Sequence, residues 1–188
     1  MLFEIEDRKI RTRNTYEDYA KLPDYSRYEL IDGEFIVTPS PAEEHQDVSF
    51  ELTLRLGLFL REHKIGRAYA APFVVIFDRW NVCQPNLLFV SNERASIISS
   101  AGVLGAPDLT MELLSHSTEK YDLTKKKDLY ERFGVREYWI FNPLEHSIDI
   151  LANRNGSFEL IFSGRGKGVA VSEVRPGFAV DIEKLFAR

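Results

Sequence analysis

Apolar and polar positions follow two periods along this chain, and the switches between them mark out the elements. Residues 28–37, YELIDGEFIV, carry β-formers on both sides of Asp32-Gly33, the pair favoured for a tight primed turn, and predict a β-hairpin. Residues 14–21 before it suit a short helix stopped by Pro23. Ser40, Pro41 and Glu43 then form a helix start: an N-cap, a proline at the first helical position and a capping-box glutamate. The helix is predicted to run to about Glu62 and to end at Gly66. At about 100° per residue, Val48, Leu52, Leu56 and Phe59 form one apolar stripe and Phe50, Leu54 and Leu58 a second. Two stripes predict a helix sandwiched on both sides.

Short apolar runs predict strands over 68–71, 73–77, 87–90 and 109–114. Helical spacing returns over 124–133, with Gly134 as a natural stop. The run YWIF at 138–141 is apolar on both faces and predicts a central strand. Residues 147–151 and 158–162 predict a hairpin around Asn155-Gly156, and 181–186 one or two final helical turns. The order gives an α/β fold: a mixed β-sheet, with parallel and antiparallel pairs, flanked by two main helices and opened by an N-terminal β-hairpin. No repeat, linker or low-complexity tract divides it, so a single domain over 1–188 is expected.

Composition narrows the function. With 44% hydrophobic and 28% charged residues the chain is not disordered. A net charge of -5 excludes nucleic-acid binding by bulk electrostatics and leaves only a local basic face, at 8–13 or 125–127. Cys83 is the only cysteine, which excludes an intrachain disulfide and fits a reducing compartment. No signal core and no apolar run of spanning length is present, so a cytoplasmic protein with no membrane partner is expected.

Chemistry is sought where polar groups interrupt buried patterns. Glu112 lies in DLTMELLS on one strand face with Asp108 and Thr110, and a carboxylate there must be paired, metal-bound or at a sheet edge. On a wheel with Leu123 at 0°, Tyr130 falls near about -20° and Phe133 near about -80°, with Lys126 between them at about -60°. Of three adjacent lysines only Lys126 points to the core, where Asp122, one turn earlier, can pair with it. His45 sits on the Val48–Leu52–Leu56 side of its helix, near the acidic pair Asp32 and Glu34 of the hairpin. Gln84 and Asn86 flank Pro85 at the mouth of the 87–90 strand, and each offers a carbonyl oxygen to a hard cation or a hydrogen bond. No CxxC, HExxH, Walker loop or GxGxxG is present, and Ser115, His116 and Ser117 are adjacent without an oxyanion loop. A carboxylate-plus-lysine set without thiols favours Mg²⁺ or Mn²⁺ over zinc.

The ordered series YELIDGEFIVTPSP, His45-Gln46, QPNLLFV, GAPDLTMELLSHST and KKDLYERFGVREYWIFNP resembles the bacterial family of putative restriction endonucleases, long a domain of unknown function, within the PD-(D/E)XK nuclease superfamily. The resemblance covers about 15–165. It implies a restriction-endonuclease-like fold and Mg²⁺- or Mn²⁺-dependent hydrolysis of nucleic-acid phosphodiesters, with DNA favoured over RNA, and a homodimer. Glu112 matches the family's glutamate, and Lys126 its lysine, moved to the next helix because the usual position here is Leu114. Glu34 matches a third polar position, with His45 and Gln84 accessory; Glu29 is the other hairpin acid able to approach. Asn86 stands where the family has a metal-binding aspartate, so Asn86 and Glu112 are the implied metal ligands, with weakened catalysis. Asp108 lies four residues from Glu112, roughly 13 Å along a strand, too far to replace Asn86. The alternative implication is an inactive nuclease-fold module that binds nucleic acid or protein.

Overall fold

The computed structural model describes residues 13–23, 27–38, 40–115 and 119–187. The basic stretch at 8–12 and His116 and Ser117 lie outside the described residues. After a short helix α1 (Tyr16–Tyr19), strands β1 (Tyr28–Ile31) and β2 (Glu34–Val37) form the expected hairpin. Its turn residues Asp32 (φ 51°) and Gly33 (φ 79°) both take the left-handed backbone that a two-residue primed turn requires.

Helix α2 (Glu43–His63) begins later than its sequence signature. Its N-cap is Ala42, with extended backbone and no side-chain cap. Pro41 stays outside the helix, so Ser40 stands two residues ahead of the cap. Glu43 and Glu44 in the first turn complement the helix dipole instead. Lys64, at φ 54°, closes the helix, and Gly66 opens the next strand. A Cβ on Gly66 would stand 2.4 Å from the Val90 carbonyl oxygen, which is why glycine is needed there.

The chain then forms β3 (Gly66–Ala70), β4 (Val75–Asp78), β5 (Asn81–Cys83) and β6 (Leu87–Ser91). A 3₁₀ turn (Asn92–Ile97) leads to β7 (Ile98–Ser99), β8 (Gly102–Leu104) and β9 (Leu109–Leu113). Next come α3 (Glu119–Tyr121), a π-helical turn (Asp122–Lys126) and α4 (Lys127–Phe133), closed by Gly134 at φ 81°. The remainder is β10 (Glu137–Asn142), β11 (Ser147–Arg154), β12 (Ser157–Arg165), β13 (Val169–Val171), β14 (Ala179–Asp181) and α5 (Ile182–Phe186).

Two six-stranded sheets result, ordered β12-β11-β10-β9-β6-β3 and β2-β1-β5-β4-β8-β7. The pairs β9–β10 and β4–β8 are parallel and the other pairs in these sheets antiparallel, so both sheets are mixed. In the first sheet, alternate residues point to opposite layers. Leu87, Phe89, Met111, Trp139 and Phe141 pack with Val48, Leu52 and Leu56 of α2 and with Ile182 and Leu185 of α5. Leu88, Val90, Tyr138 and Ile140 pack with Leu129 and Tyr130 of α4 and with Val75, Phe77 and Cys83 of the second sheet. Coverage of both faces explains the unbroken apolar runs at 87–90 and 138–141.

The expectation of a sandwiched α2 is corrected. Val48, Leu52 and Leu56 of its first stripe are buried and Phe59 partly so, but Phe50, Leu54 and Leu58 are 72%, 46% and 54% exposed, because the sheet covers one side of the helix only.

Candidate functional site

The site is assembled where β1, β6, β9, the π turn and the start of α2 converge. Glu112 lies near the end of β9, buried at 2% exposure. A carboxylate at this depth must be compensated, and three groups do so. Lys126 Nζ stands 3.1 Å from Glu112 Oε1, and the Tyr130 hydroxyl donates to the same oxygen at 2.6 Å. The backbone N–H of Asn86 points at Glu112 Oε2 from 3.4 Å.

Lys126 serves more than Glu112. Its ammonium is also 3.1 Å from Glu29 Oε1 on β1 and 3.1 Å from Asp122 Oδ1. Asp122 Oδ1 is at ion-pair distance without hydrogen-bond alignment. Asp122 and Lys126 bound a π-helical turn and both face inward, as an i,i+4 pair does, while Leu123 is 38% exposed. Glu29, Asp122 and Lys126 are all buried.

Three carboxylates around one ammonium leave two surplus negative charges when all are ionised. Burial, reinforced by Asp122 and Glu29 against the opposing pull of Lys126, raises the Glu112 carboxyl to about 7. Burial works against the Lys126 ammonium, but Glu112, Glu29 and Asp122 together hold its pKa well above the ordinary lysine range. Burial likewise pushes the Tyr130 phenol well above its usual value, so it remains a donor to Glu112.

The mouth of the site is lined by the amides. Asn86 Oδ1 accepts the Leu113 N–H at 2.8 Å, which fixes the amide and turns Nδ2 toward His45 Nε2, 3.4 Å away. That approach asks His45 Nε2 to be the acceptor, and burial lowers the His45 pKa, which favours the neutral ring. His45 Nδ1 is buried without a hydrogen-bond partner. Gln84 holds the hairpin: its N–H donates to Glu29 Oε1 at 2.8 Å, and Nε2 donates to the Tyr19 hydroxyl at 2.7 Å.

Of the residues singled out in the sequence, Glu112, Lys126, Asn86, His45 and Gln84 come together. Glu34 does not: it sits on edge strand β2, half exposed, with Lys125 3.5 Å away. Glu29 occupies the inner position. Asp108 is at the other end of β9, fully buried, accepting from Ser91 N at 2.8 Å and Arg136 at 3.1 Å, with Arg94 3.4 Å away.

A hard divalent cation is tested against these donors. Among the described residues no three His, Cys, Asp or Glu side chains form a metal-holding group. Glu112 Oε2 faces the Asn86 N–H and Asn86 Oδ1 accepts the Leu113 N–H, and both are hard oxygen donors. With all three carboxylates ionised, the two surplus negative charges equal the charge of one divalent cation. The donor chemistry fits a hard divalent cation, with one carboxylate and one amide oxygen as ligands.

A family model described as Uma2, putative restriction endonuclease, matches residues 16–183. A crystal structure titled as a putative nuclease belonging to DUF820, from Anabaena variabilis, is similar with a TM-score of 0.76 at 22% identity. The match covers 92% of this chain and 97% of that one, and it shows a shared fold. No curated protein matches the chain. Among the described residues, no helix is long and apolar enough to cross a membrane.

Proposed function

The chain belongs to the Uma2 family of putative restriction endonucleases, and from that membership we propose that it is a Mg²⁺- or Mn²⁺-dependent endonuclease of the cytoplasm, cutting DNA in preference to RNA and slowed by Asn86. A homodimer belongs to this reading, since cutting both strands of a duplex calls for two sites related by a two-fold axis. The observation that carries it is the direct pairing of Lys126 with Glu112 at 3.1 Å, beside Asn86, inside the family's fold.

Glu112 Oε2 and Asn86 Oδ1 would hold the cation. When bound, it supplies Lewis-acid polarisation of the phosphate and a more acidic bound water. The chain's own residues do the rest. Lys126 supplies the positive charge that steadies Glu112 as a carboxylate and meets charge developing on the phosphate oxygens. Tyr130 fixes the Glu112 rotamer through its 2.6 Å hydrogen bond. The third acidic role falls to Glu29, which touches Lys126 at 3.1 Å, rather than to Glu34. His45 and Gln84 shape the mouth, where a backbone phosphate would enter.

The test is nicking of supercoiled plasmid in Mn²⁺ by the native chain, Glu112→Gln and Lys126→Met. Slow nicking by the native chain, lost in both variants, supports the reading. Equal nicking by all three refutes the assignment of these residues.

A second reading, a nuclease-fold module that binds without cutting, is favoured by one observation: the Lys126 ammonium already spends itself on three carboxylates. It predicts plasmid binding without nicking, unaltered by Mn²⁺.

A further inference from the structure

The uncovered side of α2 is self-complementary. With Leu54 at 0° and about 100° per residue, Asp47, Phe50, Gly57, Leu58 and Arg61 fall within about 60° of it. The spacing of Asp47, Phe50, Leu54, Gly57 and Arg61 alternates three and four, the pattern of a helix–helix seam. The helix is also polar in charge: Glu43 and Glu44 lie in the first turn, Arg61 and His63 in the last.

We propose that this stripe is the interface of an isologous dimer, in which α2 of one protomer packs antiparallel on α2 of a second copy about Leu54. That operation sets Leu54 on its own mate and Phe50 against Leu58 of the other copy. Asp47 meets Arg61, and Glu44 at the acidic end meets Lys64 at the basic end, twice over because the interface is two-fold. Gly57 faces Glu51 across the seam. A Cβ built on Gly57 meets nothing within 4 Å in its own chain, so no intramolecular packing demands glycine there. A glycine inside a helix costs stability, and close approach of a second helix gives it a use.

The exposed apolar area of the stripe is modest. Phe50, Leu54 and Leu58 are 72%, 46% and 54% exposed. At about 200 Å² for a large apolar side chain, they leave roughly 300 Å² of apolar surface per copy. Two copies would bury roughly 600 Å² of apolar surface from these three side chains, to which the charged flanks add polar area. The proposal supplies the surface for the dimer in the nuclease reading and rests on that part of it alone; no catalytic residue takes part.

The experiment is sedimentation equilibrium of the full chain over a wide concentration range, with circular dichroism to confirm folding. The native chain is expected to dimerise reversibly. Leu54→Glu, which sets two carboxylates on the two-fold axis, is expected to be monomeric throughout. Asp47→Arg and Arg61→Asp each weaken the dimer by roughly tenfold or more, because two attractive pairs become repulsive. The double variant, with both charges exchanged, restores it; a purely structural effect of either substitution would not be rescued. A native chain that stays monomeric, or a dimer unmoved by Leu54→Glu, overturns the proposal. Plasmid nicking measured on the same samples separates the two readings: a dimer that does not cut leaves this interface standing while the nuclease reading falls.

Discussion

Lys126→Met removes the single positive charge from a buried group of three carboxylates, and its consequence can be worked out from the geometry. Lys126 is 5% exposed and stands 3.1 Å from Glu29, Glu112 and Asp122. Breaking a buried pair by deleting one partner costs about 3–5 kcal/mol, because the remaining charge stays desolvated. The carboxylates escape part of that cost by taking up protons. Glu112, at about 7 in the native fold, must rise further when the ammonium is gone. A carboxyl whose folded pKa lies above its unfolded value stabilises the fold below the unfolded pKa, and that contribution is lost as pH rises through the folded one. The variant therefore loses stability more steeply than the native chain as pH rises. Urea unfolding of both chains between pH 5 and 8.5 measures the gap. It is expected to be small near pH 5 and to reach about 3–5 kcal/mol near pH 8. A gap under about 1 kcal/mol, or one independent of pH, would show that the three carboxylates do not depend on Lys126.

Three further outcomes follow from the same structure. Glu112→Gln removes the raised carboxyl, so the variant should lack a loss of about 3 kcal/mol that the native chain shows between pH 4.5 and 7, seen as a difference in their pH–stability curves. Mn²⁺ affinity, read by calorimetry, should rise about tenfold per pH unit below 7 with release of close to one proton, since Glu112 must ionise to bind. Gly66→Ala drives a Cβ to 2.4 Å from the Val90 carbonyl oxygen and should lower stability by about 2 kcal/mol or more by forcing β3 from β6, measured by thermal unfolding.

The long-range plan of the fold was legible because it rests on strong local signals. Asp32-Gly33 and Asn155-Gly156 both adopt the positive φ angles their sequences call for. The apolar run at 138–141 does occupy an interior strand, between β9 and β11. Strands β5, β7 and β8 are only two or three residues long, too short to establish a period, and could not be read. The wheel that turns Lys126 inward takes Leu123 as its zero, and Leu123 is exposed; the buried residue that shares the inward side with Lys126 is Tyr130, four positions on, and the π turn between Asp122 and Lys126 has no signature in the side-chain period. Glu29 and Glu34 looked alike because each stands in the same hairpin. Sheet order separates them: β1 lies inside, between β2 and β5, while β2 is the edge. The second stripe of α2 is apolar yet exposed, since an apolar period marks a face and not what lies over it.

Asn86 is the residue on which the central claim turns. Its amide oxygen is held by the N–H of Leu113, the residue after Glu112, and Asn86→Asp adds a negative charge with little change of shape. The decisive measurement is the rate of plasmid nicking in Mn²⁺ by the native chain and by Asn86→Asp. A site assembled for metal-dependent cleavage but short of one charge predicts that Asn86→Asp cuts about a hundredfold faster, equivalent to about 3 kcal/mol of added transition-state stabilisation. If Asn86→Asp is folded, binds Mn²⁺ more tightly and still nicks no faster than the native chain, the claim that this site cleaves phosphodiesters is contradicted.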